Sequence, residues 1–352
     1  MQPQTEIEID QPAPRERERI PCAAFRVSPL GTAAVLGIVA GAMLAATFAA
    51  SYVADGYTAG PWLSDWLSPW SVAGRAGKTL LVIARSPAPI LVVALILERW
   101  LPVAPNQRDL TRGFGQDIAW YVADFLREAS WVPLYLALLI WMKGRLFGTF
   151  ELIPTGVIPA AIAWTIAILA WDLFGYASHV ARHRVDFLWR FHAVHHSQRE
   201  MNFFTQHRFH DLDVVADQTI RTIPLLALNA SWTALGIFYM IALAHFRLYH
   251  SNIRSDYGVL RYVLVNPQSH RVHHARDPRQ LNSNFGIFFS IWDRAFGTQY
   301  PHRDEYPGEL GIEDESFPID QGTRIRDIPR VYAAQLLYPF RKIERLTPSG
   351  EL

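Results

Sequence analysis

VVADQTIRTIPLLALNASWTALGIFYMIALAHF, residues 214–246, decides how this chain folds. It is mostly apolar, and histidine-rich sequence flanks it: FHAVHH at 191–196 and SHRVHH at 269–274. A single bilayer crossing by 214–246 would leave these two copies of His-x-x-His-His on opposite faces, unable to meet. The alternative is two apolar arms, VVADQTIRTIPLLAL and SWTALGIFYMIALAHF, turning around Asn229 and Ala230. Each arm has about 15 residues, short of the ~20 that a helix needs to span hydrocarbon. The expectation is a re-entrant or tightly paired helical hairpin that returns the chain to the side it left.

The histidine spacing supports that reading. Residues at i, i+3 and i+4 share one helix face. His192, His195 and His196 therefore point together, as do His270, His273 and His274, and His179 with His183 upstream. His250, just after the second arm, makes a ninth candidate. One zinc ion takes about four ligands and a six-coordinate ion about six, so the count suits two metals. Twelve of the thirteen histidines lie between 179 and 274. Burying so many imidazoles without partners would be costly, which points to a metal site. Among the rest, His207 and His302 are expected to be ordinary hydrogen-bonding residues, while His210 and His245 fit either role. Ligating imidazoles commonly donate their other N–H to a carboxylate or carbonyl. Asp172 and Tyr176, two turns and one turn before His179, are candidates to support the ligands, as are Asp211, Asp213 and Asp293. Asp277 reads better as a surface carboxylate.

Composition narrows the chemistry. The lone cysteine, Cys22, excludes an intramolecular disulfide, a cysteine-held iron–sulfur cluster and a cysteine-rich zinc site. Any metal is held by His, Asp or Glu. The net charge of +1 gives no case for a nucleic-acid partner.

Hydropathy sets the expected architecture. Val27 to Ala54 carries no charged side chain and is long enough to cross a bilayer. Further apolar runs cover Thr79 to Leu97, Ile118 to Met142 and Val157 to about Tyr176. Arg15, Arg17, Arg19 and Arg26 before the first run, and Arg99, Arg108 and Arg112 after the second, place those segments in the cytoplasm. The tryptophan-rich loop PWLSDWLSPW at 61–70 then falls outside. The expected fold is an all-α integral membrane protein with about four transmembrane helices, the re-entrant hairpin and a cytoplasmic histidine-rich di-metal cap. Its expected parts are a cytoplasmic tail (1–26), transmembrane helices (27–164), a catalytic domain (165–300) and a cytoplasmic C-terminal segment (301–352), where RVYAAQLLYPFRKIERL has the composition of a membrane-surface stretch.

Four stretches together resemble a known family: WDLFGYASHVARH (171–183), LWRFHAVHHS (188–197), YVLVNPQSHRVHHARD (262–277) and NFGIFFSIWDRAFGT (284–298). They are similar to the fatty acid hydroxylase/sterol desaturase superfamily of membrane-bound di-metal oxygenases. The similarity covers roughly residues 95–300. It implies a non-haem di-iron centre that applies O2 and electrons to lipid C–H bonds. By its boxes it implies His179, His183, His192, His195, His196, His270, His273 and His274 as ligands. His250 matches the family's HSN element and His210 its Arg-x-His element; both join the expected metal set. Asp172, Tyr176 and Asn284 are the expected catalytic residues. Val180 stands where relatives often carry Arg, and HDLD (210–213) replaces His-Pro-Leu-Glu. There is no Gly-rich dinucleotide turn and no fused haem domain, so electrons are expected from a separate ferredoxin- or cytochrome-type protein with its reductase.

The resulting expectation is a lipid hydroxylase at the inner membrane with its site on the cytoplasmic side, acting on a fatty acyl, sterol, hopanoid or related chain. Desaturation on the same site is the alternative reaction, and metal binding or transport the alternative class. Phe203, Phe204, Phe285, Phe288 and Phe289 are candidates to line a lipid path, though each also suits a packed core.

Overall fold

The computed structural model describes residues 88–107, 111, 113–148, 152, 158–228, 232–302, 305–319 and 325–341. The expected tail, the run at 27–54, the tryptophan-rich loop and residues 79–87 lie outside them. Among the described residues the fold is helical, with only isolated bridges between extended segments.

Helix α1 spans Ala88–Trp100 and ends two residues before Pro102, whose ring disfavours helix in the preceding residue. Its 13 described residues cover about 20 Å, and the first part of the expected run at 79–97 lies outside the described residues. The expected span at 118–142 is not one helix. It is α2 (Phe114–Ala129) and α3 (Trp131–Phe147), parted at Ser130, whose N–H turns back to the Arg127 carbonyl. Pro133 has no N–H to continue the ladder, and Arg127 is drawn inward to Asp124 and Asp211.

Helix α4 (Ala160–Arg184) is the one described helix long and apolar enough to cross a membrane. At 25 residues it measures about 37 Å and runs two turns past the expected end, so His179 and His183 ride on its last turns. Val185 then adopts an extended conformation, and α5 (Asp186–His196) starts with Asp186 in its first turn, where a carboxylate complements the helix dipole.

The two hairpin arms form α6 (Asp211–Ala227) and α7 (Trp232–His250). α6 packs chiefly on α4, and α7 packs both on α4 and on the segment 267–273. Leu225 and Leu235 close on Ala167 and Trp171, and Phe238 and Ala242 close on Phe288. Outward, Leu134, Leu138, Trp141, Ile162, Trp164 and Ile223 are exposed, an apolar surface of the kind that lipid or another protein covers.

The third histidine stretch sits on α8 (Pro267–His273), only seven residues long. So short a helix does not persist by itself. It is held by a capping box: Asn266 Oδ1 accepts the Ser269 N–H (2.9 Å), Ser269 Oγ accepts the Asn266 N–H (3.2 Å), and Pro267 opens the first turn. A short α9 (Ile291–Ala295) follows. The C-terminal stretch forms α10 (Ile328–Leu337), which packs on α2 through Gln335, acceptor for the Trp120 indole N–H at 2.7 Å.

Candidate metal centre

Nine imidazoles converge in two groups. His179, His183, His192, His196 and His273 form the first, and His195, His250, His270 and His274 the second. Within each group the candidate ligand atoms lie within 4.8 Å of one another, and all nine residues are buried. Each His-x-x-His-His box is divided between the groups, because adjacent residues on one turn point about 100° apart, whereas His179 and His183 stay together in the first.

The nitrogens are aimed for coordination. In the second group the Nε2 atoms of His270 and His250 lie 2.8 Å apart, those of His274 and His270 3.0 Å, and those of His195 and His250 3.4 Å. In the first, the Nε2 atoms of His183 and His196 lie 3.1 Å apart. A metal bound at about 2.0–2.1 Å holds neighbouring nitrogens roughly 3.0–3.4 Å apart. His192 Nε2 and His273 Nε2 are buried without a hydrogen-bond partner, as a ligand nitrogen would be before its ion is counted. The donor set therefore fits two ions.

Other groups fix the rings from behind. The Nδ1–H of His179 donates to the Phe285 carbonyl (2.9 Å), that of His273 to the Ser283 carbonyl (2.8 Å) and that of His250 to the Phe246 carbonyl (2.7 Å). A carbonyl only accepts, so each ring carries its proton on Nδ1 and presents the Nε2 lone pair. His192 Nδ1 faces the Asp213 carboxylate at 3.1 Å, and Arg182 binds the same carboxylate. Burial, reinforced by neighbouring imidazoles, holds His196, His270 and His274 well below the ordinary histidine pKa, and they stand as neutral ligands.

The carbonyls of Ser283 and Phe285 belong to a loop that two buried carboxylates secure. Asp293 accepts the N–H groups of Phe285 (2.7 Å) and Gly286 (2.8 Å). Asp172 accepts those of Phe288 (2.9 Å) and Phe289 (3.0 Å) together with the Trp292 indole N–H (2.8 Å). Gly286 is required by closeness: a Cβ there would come within 2.7 Å of Asp293 Oδ2 and 2.9 Å of the Phe289 carbonyl.

The three expected catalytic residues all contact the segment 284–300 or its neighbours. Asp172 spends its carboxylate on the loop. Tyr176 bonds Thr298 Oγ1 (2.9 Å) and stacks on Phe296. Asn284, at φ 57°, donates to the Ser269 carbonyl and accepts from Gln299 and the Tyr300 N–H. These contacts brace the loop around the histidines.

His210 stands outside both groups. Its Nδ1 accepts the Leu212 N–H as the cap of α6, and its Nε2 donates to the Leu336 carbonyl, leaving no lone pair for a metal. His245 packs against Tyr249, Tyr257 and Phe288, and His302 against Tyr300. His207 bonds Asp124. Asp211 pairs with Arg127 and Asp277 with Arg279.

A cavity of about 340 Å³ opens against the centre, touching His179, His192, His195, His250 and His270 and so reaching both groups. Its lining also includes Val132, Leu136, Leu225, Leu235 and Leu243, alongside polar residues such as Asp124, Arg182, Asp213 and Arg221. The phenylalanines expected on a lipid path pack elsewhere: Phe203 joins the core around α1, Phe285 stands edge-on to His179 and His183, and Phe288 and Phe289 meet Phe238. The apolar residues that do line it, on α3, α6 and α7, carry no local signal distinguishing them from membrane-facing residues.

Residues 164–298 match the family model of the fatty acid hydroxylase. The chain is similar to the alkylglycerol monooxygenase of Danio rerio, 32% identical over 42% of this chain and 32% of that protein. It is also similar to the Caenorhabditis elegans alkylglycerol monooxygenase (28% identical; 54% of this chain, 36% of that one). The ornithine lipid hydroxylase OlsE of Rhizobium tropici is 28% identical over 52% of each chain. The chain thus spans about a third to about half of the length of these curated relatives. No solved structure matches it significantly.

Proposed function

Since the chain belongs, through residues 164–298, to the fatty acid hydroxylase/sterol desaturase superfamily, we propose that it is a membrane-embedded hydroxylase of a lipid, using O2 and two iron ions. The observation that carries this reading is a cavity in contact with imidazoles of both groups and lined in part by Val132, Leu136, Leu225, Leu235 and Leu243. Relatives are named for alkylglycerols and ornithine lipids, and others for very-long-chain aldehydes. A lipid with an alkyl chain is the proposed substrate.

Iron held by the nine imidazoles would supply the reductive activation of O2 that no side chain can provide for an unactivated C–H bond. Balanced, O2, two electrons from a separate ferredoxin- or cytochrome-type donor and two protons from solvent convert one C–H bond to C–OH, and the second oxygen atom leaves as water. The protein's part is orientation and exclusion. Asp213 and the carbonyls of Phe246, Ser283 and Phe285 fix the rings. Leu225, Leu235 and Leu243 receive the chain out of water. The site lies on the cytoplasmic face in this proposal, beside arginine-rich sequence such as RHRVDFLWR (182–190).

The test is lipid mass spectrometry on membranes carrying the iron-loaded protein, an electron donor and O2. A product heavier by one oxygen atom supports the proposal, and one lighter by two hydrogens replaces hydroxylation with desaturation. Turnover that persists without oxygen refutes it.

A further inference from the structure

Asp213, Asp217, Arg221 and Leu225 follow one another at four-residue steps on one face of α6, and all four line the cavity. The row starts at the histidines, where Asp213 faces His192, and ends in leucine. Arg221 therefore stands two turns, about 12 Å, along the helix from Asp213. It meets α4 at Gly175 and Trp171, one turn and two turns before His179. The metal centre uses none of these three residues.

Two features of α4 seat the guanidinium. Its Cζ lies 4.6 Å from the centre of the Trp171 ring, in cation–π contact. Gly175 makes the room: a Cβ there would come within 2.6 Å of Nη1 and 2.8 Å of Cζ. Arg221 Nε forms an ion pair with Asp217 Oδ2 at 2.9 Å but no hydrogen bond. Among the described residues, no oxygen accepts a hydrogen bond from Nη1 or Nη2. Nε is fully enclosed, yet 8% of the side chain stays accessible in a residue that lines the cavity. The reachable nitrogens are thus Nη1 and Nη2, donors that burial makes costly to leave without an acceptor.

Charge decides which acceptor fits. Arg182 and Arg221 are matched by Asp213 and Asp217, and Asp172 also lies close enough to attract Arg221. Cations are not in excess, so an anionic group brought into the cavity would be a buried charge without compensation. An uncharged oxygen avoids that cost and still gains a charge-assisted hydrogen bond.

We propose that Arg221 recognises an uncharged oxygen of the lipid, a carbonyl or ether oxygen, and thereby sets which stretch of the alkyl chain reaches the histidines. This rests on the lipid-hydroxylase reading and narrows it. Bare hydrocarbon leaves the guanidinium without an acceptor, whereas an oxygen within a chain satisfies it and lets the apolar remainder lie against Leu225 and Leu235. Asp217 is a positioning residue that holds the guanidinium from its Nε side.

The experiment is calorimetric titration of the metal-loaded full chain in detergent with four probes of matched length, each at the same mole fraction in mixed micelles. They are octadecane, nonyl octyl ether, octyl nonanoate and stearate. Wild-type protein is expected to bind the ether or the ester about tenfold or more tightly than octadecane, and stearate no more tightly than the ester. Arg221→Met should abolish that preference while metal content and affinity for octadecane stay unchanged. Equal wild-type binding of octadecane and both oxygen probes, tightest binding of stearate, or a preference that survives Arg221→Met overturns the proposal. Where Arg221→Met does not fold, Gly175→Ala decides: its Cβ must displace the guanidinium, so an unchanged preference there also overturns it. Product mass spectrometry on the same samples reads turnover separately, so loss of the hydroxylase reading is distinguishable from loss of this one.

Discussion

His196 and His274 stack, with ring centroids 4.2 Å apart and planes 22° from parallel. They lie on either side of the whole hairpin and belong to different imidazole groups, so their contact is where the two groups meet. The residues before and after 214–246 therefore lie together, on one side of any membrane that the arms enter.

Return of the chain predicts sidedness. With Cys22→Ser as background, single cysteines at the exposed positions Arg199 and Arg279 should label from the same face of sealed vesicles. Labelling from opposite faces is incompatible with the contact between His196 and His274.

The division into five and four imidazoles predicts two metal ions per chain and separable losses. His270→Ala should empty the second group and leave about half the metal, measured by elemental analysis of iron-loaded protein. His302→Ala should keep both ions. His210→Ala should also keep them, losing only its cap on α6, about 1 kcal/mol of stability.

Asp213→Ala removes the carboxylate behind His192 and leaves Arg182 without that partner. Loss of a partner to a ligating imidazole costs about 10–100-fold in metal affinity or activity. Metal titration of the variant against wild type measures it, and unchanged affinity would show that His192 does not coordinate.

Gly286→Ala should disturb both carbonyls that orient His179 and His273. Its Cβ meets Asp293 and the Phe289 backbone too closely to be absorbed by one flexible side chain. Overpacking of this kind costs about 1–3 kcal/mol, so thermal unfolding should begin earlier and metal retention fall with it.

Acid should destabilise the metal-free protein. Burial lowers the His273 pKa from 6.5 to about 4. The unfolded chain, with its ordinary value, takes up the proton first as pH falls. The stability due to the neutral ring is thus full above 6.5 and lost progressively toward about 4. Melting temperatures across that window should decline, and a flat profile would contradict the burial seen here.

Spacing alone identified eight of the nine converging imidazoles. His-x-x-His-His and His-x-x-x-His put side chains on one helix face whatever the surroundings, and His250 followed from its place after the second arm. Arm length likewise favoured a hairpin over a single crossing, because the bilayer's thickness is a fixed ruler. What those residues left open depended on partners distant in the chain. Asp172 stands near His179 in sequence, yet it serves the N–H groups of Phe288 and Phe289. His210 sits in a histidine-rich region, yet the start of α6 and the Leu336 carbonyl consume both its nitrogens. The division of each His-x-x-His-His box between two groups depends on contacts across the whole fold. A side chain's type and helical phase are local, but its hydrogen-bond partner is chosen only when distant backbone arrives beside it, and that choice belongs to the tertiary structure.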